Sequence, residues 1–96
     1  MVMAKVKKVE NRIRETEGFN VVIKWGGKDV RSDFKGIPQY NDYKRMAKKN
    51  MTVMEWKKRR FYPKYPGYDV DILDGNDSVC QGNTKLESVR DSYSEE

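Results

Sequence analysis

The strongest constraint on the fold is a run of strand-forming residues at 19–25 that ends in two glycines. This segment is rich in β-branched and aromatic side chains, which favour a half-buried strand. Gly26 and Gly27 can both adopt positive φ, so they predict the two-residue turn that joins antiparallel strands. Residues 28–32 can then return as the hairpin partner. We therefore expect an antiparallel sheet in the first third of the chain.

The residues before this hairpin leave helix and strand open. Four apolar side chains recur there at helical spacing, namely Val2, Val6, Val9 and Ile13. Residues 12–15 could equally form a strand that enters a turn at 16–18. We expect a strand toward the end of this stretch, because the turn and the strand at 19–25 follow it directly. The simple outcome is a three-stranded meander.

Two basic helices are predicted in the middle of the chain. Apolar residues at helical spacing alternate with lysine and arginine in residues 39–50, as in an amphipathic helix. Thr52 and Glu55 match the capping box, so a second helix should begin at Val53 and turn Val53 and Trp56 inward. The cations at 57–60 should face mostly outward. Two prolines in residues 61–68 then predict an extended crossover.

The last third of the chain predicts a β-hairpin and a short helical turn. Residues 68–73 alternate like a strand, residues 74–77 are a turn signal, and residues 78–81 can return. Leu86 and Val89 indicate one helical turn. The expected fold is thus α+β, with a small three-stranded antiparallel sheet, two basic helices and a C-terminal hairpin in one domain of residues 1–91. Residues 92–96 are expected to be a disordered acidic tail.

Several classes of chemistry lack their usual residues. The chain has no histidine and one cysteine, which removes the commonest general base and the common zinc ligand sets. The acidic run from Asp69 to Asp77 does not match a calcium loop, and Glu55 in a Glu-x-Lys element is better used as a helix cap. We expect a protein that is not an enzyme and needs no metal or cofactor. With no long apolar run or secretory signal, a cytoplasmic location away from membranes is expected.

Charge is divided unevenly along the chain. Residues 1–65 hold 18 basic and seven acidic side chains, a net +11, whereas residues 66–96 hold two and eight, a net −6. Such a division predicts a basic surface that meets a polyanion. An acidic end would either cover part of that surface or face elsewhere.

The basic residues concentrate in one stretch with few acidic neighbours. Only Asp42 and Glu55 are acidic between residues 40 and 65, so intrahelical salt bridges do not account for the cations. We predict that they bind nucleic-acid phosphates, and the candidates are Lys44, Arg45, Lys48, Lys49, Lys57, Lys58, Arg59, Arg60 and Lys64. Trp56 is assigned to the core. Tyr62 and Tyr65, which lie beside prolines and Lys64, are candidates for stacking on unpaired bases.

One local resemblance bears on this interpretation. Strands, a Gly-Gly turn and a basic helix precede residues 52–56, which read Thr-Val-Met-Glu-Trp. This order resembles the arm-type DNA-binding region of tyrosine recombinases over about half of the chain. In that family the sheet face enters the major groove, so the resemblance implicates Lys24, Lys28 and Arg31. It also implies an origin in a phage or another mobile element.

Two functions follow as hypotheses. The first is a small basic protein that binds nucleic acid, with DNA favoured over RNA, through its Lys- and Arg-rich helices. The alternative is a phage-type accessory module or inhibitor that docks on a host protein or nucleoprotein complex. Salt-sensitive binding to nucleic acid distinguishes the two. The sequence leaves the oligomeric state and the identity of the partner open.

Overall fold

The computed structural model describes residues 3–30, 35–40 and 43–93, and these form a mixed fold of helices and antiparallel strands. Its elements run in this order: β1 (Met3–Lys5), α1 (Val6–Glu17), β2 (Asn20–Trp25), β3 (Lys28–Asp29), β4 (Lys35–Pro38), α2 (Val53–Trp56), a π-helical turn (Lys57–Phe61), β5 (Asp69–Leu73) and α3 (Leu86–Asp91). No helix in this part of the chain has the length and apolar character needed to cross a membrane.

Helix α1 replaces the strand that we predicted near residues 12–15. Val6, Val9 and Ile13 are all buried, so the helical spacing of the apolar residues decides the structure of this segment. The predicted turn at 16–18 is the helix end. Gly18 adopts φ +86° and donates its N–H to the carbonyl of Arg14 over 2.9 Å, as expected of a C-terminal glycine cap.

Two strands of the three-stranded sheet are those predicted, and the third is different. Its order is β3-β2-β5, all antiparallel, with Trp25 opposite Lys28 and Ile23 opposite Val70. The strand at 19–25 and the Gly-Gly turn are confirmed, since both glycines have positive φ. The strand that completes the sheet comes from the C-terminal third, not from the N-terminus.

A short second sheet joins the start of α1 to the middle of the chain. Strand β1 pairs antiparallel with β4, and Ala4 lies opposite Ile37. Both of these residues are buried. Because Lys5 ends β1 and α1 begins at Val6, this pairing holds the start of α1 over the core.

The basic helix expected at residues 39–50 is absent from the described part of that stretch, residues 39–40 and 43–50. The backbone there bonds to other elements, which is incompatible with the repeating bonds of a helix. Ala47 donates its N–H to the carboxylate of Glu17 over 2.8 Å, and the carbonyl of Lys49 accepts the N–H of Glu87 over 3.0 Å. Tertiary contacts therefore override the helical pattern of this segment.

Helix α2 begins as the sequence predicts. Thr52 accepts the N–H of Glu55 through its hydroxyl, and the carboxylate of Glu55 accepts the N–H of Thr52 over 2.9 Å. After Trp56 the helix widens into the π-helical turn. The predicted extended crossover at 61–68 is instead a series of tight turns, in which the N–H of Tyr65 bonds back to the carbonyl of Phe61.

The predicted C-terminal hairpin is reduced to a turn with one isolated bridge. Asp74 and Asp77 close the turn, and Leu73 pairs with Val79, but residues 78–81 do not form a strand. The short helical turn at Leu86 is confirmed as α3. It follows directly on the loop after this turn.

Part of the predicted acidic tail is packed against the domain. The Tyr93 hydroxyl donates to the carbonyl of Leu73 and accepts the N–H of Asn20. The Ser92 hydroxyl accepts the N–H of Gly75 over 2.8 Å. The ordered domain thus continues past residue 91, and residues 94–96 lie outside the described part.

The core joins α1, the three-stranded sheet and α2 through aromatic contacts. Phe19 meets Trp56 edge-on with ring centroids 5.3 Å apart, and Phe61 stacks on Tyr65 at 4.7 Å. Burying such rings supplies much of the favourable free energy of a small domain. Trp56 is fully buried, as the sequence predicts.

Candidate nucleic-acid interface

The π-helical turn decides which of the four cations at 57–60 reach solvent. Phe61 is fully buried at the end of the turn, and this anchors the backbone. Lys58 and Arg59 are exposed, whereas Lys57 and Arg60 are partly buried. The run of four cations therefore does not act as a single outward face.

Arg60 points into the protein, which disfavours its predicted role in binding phosphate. Its guanidinium donates to the carboxylate of Glu17 over 2.7 Å and to the carbonyl of Arg45 over 2.8 Å. It also lies over the ring of Tyr43, 4.1 Å from the centroid. Arg60 therefore ties the π-helical turn to residues 43–45 and to the end of α1.

The partner of Arg60 is a buried carboxylate that the sequence analysis did not single out. Glu17 has 0% exposure and accepts hydrogen bonds from the Tyr40 hydroxyl at 2.7 Å and the Ala47 N–H at 2.8 Å. Arg90 reaches it as well, with its guanidinium 3.5 Å from the carboxylate and 2.6 Å from the Glu17 carbonyl. We call Glu17, Tyr40, Arg60 and Arg90 the Glu17 cluster.

The electrostatics of the Glu17 cluster follow from its burial. Desolvation, reinforced by the neighbouring Glu17 charge, raises the pKa of Tyr40 far above its ordinary value. For Arg60, burial alone would lower the pKa, but the bonds to Glu17 raise it. Tyr40 thus stays neutral and Arg60 stays charged through the physiological range. The cluster is a permanent tie between α1, residues 40–47, the π-helical turn and α3.

Anchoring by Arg60 brings two basic segments together. Arg60 holds the carbonyl of Arg45, and the Tyr43 hydroxyl lies 3.5 Å from the carbonyl of Arg59. Six exposed cations of these two segments form what we call the basic surface: Lys44, Arg45, Lys48, Lys49, Lys58 and Arg59. Six of the nine cations predicted in residues 44–64 are therefore exposed on adjoining segments.

Acidic partners are scarce around this surface. Among the described residues, no carboxylate lies within ion-pair distance of any of the six cations. Glu55 feels the charge of Arg59, but the hydrogen bonds from Thr52 are the larger reason that its pKa is lowered. The carboxylate of Glu55 is used by the helix cap.

The remaining predicted cations are dispersed. Lys24 forms an ion pair with Asp71 over 2.7 Å, and Lys28 is exposed at the Gly-Gly turn. Lys57 lies close enough to Asp69 for its charge to help lower the pKa of that carboxyl. Lys64 is partly buried. Arg31 lies outside the described residues.

The two tyrosines predicted to stack on bases are both occupied. Tyr65 is 1% exposed and packs on Phe61, so it cannot meet a ligand. Tyr62 is partly buried, and its hydroxyl donates to Asp69 over 2.7 Å. Partial burial and this bond raise the pKa of Tyr62 to about 12. Tyr65 is therefore unavailable for stacking, and Tyr62 is only partly exposed.

Sequence reasoning overlooked two sets of exposed residues. Trp25 is 56% exposed at the end of β2, in the strand that the sequence predicts. Helix α1 also exposes a set of cations, Lys7, Lys8, Arg12 and Arg14. The alternation of buried and exposed residues along β2 does not predict the exposure of Trp25, because that exposure depends on where the core ends. The helical spacing of Val6, Val9 and Ile13 would have placed the α1 cations in solvent.

Comparisons of the chain with protein-family models, with curated proteins and with solved structures gave no match. Within residues 3–30, 35–40 and 43–93, no group of three or more acidic or cysteine side chains is placed to hold a metal ion. The functional argument therefore depends on the geometry and charge of the surface.

Proposed function

We propose that this protein binds nucleic acid through the basic surface and has no catalytic activity of its own. DNA is the favoured polymer, and the proposal includes a cytoplasmic location and an origin in a phage or another mobile element. The observation that carries it is the exposure of six cations on two adjoining segments with no ion-paired acid among the described residues.

Phosphate backbones are the polyanion that suits such a surface. Each phosphate neutralised by lysine or arginine releases condensed counterions, so the affinity is high at low salt and falls as salt rises. Lysines and arginines that already pair with carboxylates would gain less from this exchange. Because none of its six cations pairs with a carboxylate of the described residues, the basic surface favours binding to an external polyanion.

The Glu17 cluster supports the proposal by fixing the surface before any ligand arrives. Residues 43–47 have no helical bonds of their own, and they are held by Arg60 and Glu17. A surface that is ordered in advance loses less conformational entropy on binding. Arg60 thus acts on binding through the position of Lys44 and Arg45.

The test measures fluorescence anisotropy with labelled duplex DNA, single-stranded DNA and RNA at several salt concentrations. We compare the double variant Lys58→Glu with Arg59→Glu against Lys7→Glu with Arg14→Glu, which changes the net charge equally on α1. Reversing cations of the basic surface should weaken binding at least about tenfold and reduce the salt slope by roughly two. The α1 variant should bind with a much smaller loss.

Equal losses in the two variants would mean that net charge, and not the basic surface, determines binding. Absence of binding to all three polymers at low salt would overturn the proposal. Both variants should remain folded, with unfolding midpoints close to that of the parent protein, since their side chains are exposed.

A second candidate function is docking on a host protein, as an accessory module or inhibitor. The observation that favours it is Met46, which is 52% exposed between Arg45 and the lysines at 48 and 49. Methionine and arginine are both enriched in protein interfaces. Substituting Met46→Ala should leave nucleic-acid affinity unchanged and weaken a protein partner, so this variant separates the two functions.

A further inference from the structure

The two tryptophans of the chain lie in opposite environments. Trp56 is 0% exposed in the core, whereas Trp25 is 56% exposed at the end of β2. A half-exposed indole forgoes part of the hydrophobic free energy that burial would supply. Such a position is common for single surface residues, so exposure alone indicates nothing. What distinguishes Trp25 is the way in which the rest of the fold holds it.

Trp25 is fixed between an aromatic ring and a glycine. Its ring centroid lies 4.8 Å from that of Tyr68, at an interplanar angle of 59°. Gly67 has φ +87°, and a Cβ at this position would lie 2.9 Å from the indole. The absence of a side chain at residue 67 thus lets the indole lie against the backbone. Trp25 is therefore exposed and yet restricted in orientation.

The space next to Trp25 is open and carries positive charge. Gly26 and Gly27 have nothing within 4 Å of a Cβ built on either, so a ligand can approach the turn closely. Lys28 is exposed and lies directly opposite Trp25 in the strand pairing, which places the two side chains on one face of the sheet.

The nearest acid along β5 points away from this face. Asp69 pairs with Lys24 in the register, on the opposite face from Trp25 and Val70. Its carboxylate accepts the Tyr62 hydroxyl and the N–H of Val70, each over 2.7 Å. Among the side chains that the structure describes on β2, β3 and β5, an anionic ligand over Trp25 therefore meets Lys28 and no free carboxylate.

We propose that Trp25, supported by Tyr68, is a stacking platform for an unpaired base of a single-stranded nucleic acid. This inference rests on the proposed function and names the form of polymer that the protein prefers. A flat, immobilised indole beside a lysine suits a base and its phosphate. Base stacking on an aromatic side chain contributes about 1–3 kcal/mol per base and is tolerant of sequence.

Intrinsic fluorescence gives a direct measurement of this contact. We expect an oligothymidylate of about a dozen nucleotides to quench Trp25, while buried Trp56 supplies a constant background. In the Trp25→Phe variant, which keeps an aromatic ring against Gly67, the remaining fluorescence comes from Trp56 and should not respond to the oligonucleotide. Unchanged fluorescence of the parent protein at saturating oligonucleotide would overturn the platform.

Affinity measurements then separate the platform from the basic surface. Trp25→Ala should weaken binding of the oligothymidylate by about 5- to 100-fold, without changing its salt slope, and should leave duplex binding within about twofold. Trp25→Phe should retain most of the affinity. The matched control is Val79→Ala, an equally exposed apolar side chain far from the Gly-Gly turn in sequence, which should change neither affinity.

The outcomes distinguish failure of this inference from failure of the proposed function. The platform alone would be overturned if Lys58→Glu with Arg59→Glu abolished binding of duplex and single strand while Trp25→Ala changed neither. An equal loss for single strands and duplex in Trp25→Ala would also overturn it. A parent protein that binds no nucleic acid would overturn both.

Discussion

Arg59 and Arg60 are neighbours in sequence and opposites in structure. Arg59 is exposed on the basic surface, and Glu55, whose carboxylate feels its charge, is used by the helix cap. Arg60 bonds to a fully buried carboxylate and to a backbone carbonyl. A buried charge must be paired to be tolerated, whereas an exposed one is solvated by water. Two adjacent cations can therefore have separate purposes, one in binding and one in stability.

The same contrast holds for the Glu17 cluster and the basic surface as wholes. The cluster joins residues from four parts of the chain through hydrogen bonds to the carboxylate and the carbonyl of Glu17. The basic surface leaves its cations to solvent. We expect substitutions in the cluster to change stability and substitutions on the surface to change binding.

The sharpest way to break this comparison is the variant Glu17→Gln. It removes the charge that compensates Arg60 and Arg90 while keeping the size of the side chain. We expect the free energy of unfolding to fall by about 3–5 kcal/mol, as when one partner of a buried ion pair is removed. Denaturant unfolding monitored by circular dichroism measures the change.

The control for this variant is Glu15→Gln, on the same helix but largely exposed. Its effect should stay within about 0.5 kcal/mol. A Glu17→Gln variant as stable as the Glu15→Gln control would mean that the cluster does not hold the fold together.

The second test replaces each of the two neighbouring arginines with alanine in a separate variant. Arg60→Ala should lower the free energy of unfolding by roughly 2–4 kcal/mol, because Glu17 and the Arg45 carbonyl lose a charged donor. Arg59→Ala should change stability by less than about 0.5 kcal/mol and weaken nucleic-acid binding instead. Unfolding curves and anisotropy titrations on both variants decide the matter.

A reversed pattern, with Arg59 contributing the stability and Arg60 the affinity, would contradict the division of roles. The division of roles also explains why a charge reversal at Arg60 is a poor test of binding. Loss of the fold would then be mistaken for loss of the interface.

The sequence predicted those elements whose signals are local. The strand at 19–25, the Gly-Gly turn and the capping box at Thr52 are each specified by neighbouring residues, and all three are observed. Leu86 and Val89 likewise lie in the short helix expected of them. In these places the side chains and the backbone they control are no more than four positions apart.

The parts that escaped prediction depend on contacts between distant residues. Glu17 and Arg60 are 43 positions apart, and nothing near either one marks it as buried. Residues 43–50 have the spacing of a helix but bond to Glu17 and α3 instead. For the site, the sequence predicted the six exposed cations. It did not predict that Arg60 lies outside the basic surface or that Trp25 is exposed. Both are set by partners elsewhere in the chain.

A smaller change in stability is expected for Tyr40, the neutral member of the Glu17 cluster. Tyr40→Phe removes the hydroxyl that donates to Glu17, and we expect a loss of about 1–3 kcal/mol at neutral pH. Because the pKa of Tyr40 is raised in the folded state, its contribution is fully present below pH 10 and decreases above that value, where the unfolded chain releases the proton.

The difference in stability between parent and Tyr40→Phe should therefore shrink as the pH rises above 10. Unfolding curves at neutral and alkaline pH measure it. A difference that stays constant would indicate that Tyr40 ionises with its ordinary pKa in the folded protein.

The smallest effect is expected on the basic surface itself. Neutralising two of its cations, Lys48→Gln with Lys49→Gln, should leave the free energy of unfolding unchanged or raise it by up to about 0.5 kcal/mol at low salt. The reason is that like charges without acidic partners repel one another in the compact state. Added salt should remove this gain, because the Debye length falls to about 10 Å at 0.1 M. Denaturant unfolding at low and high salt measures both effects. A loss of more than about 1 kcal/mol would mean that these lysines hold the fold as Arg60 does, and the contrast between cluster and surface would then fail.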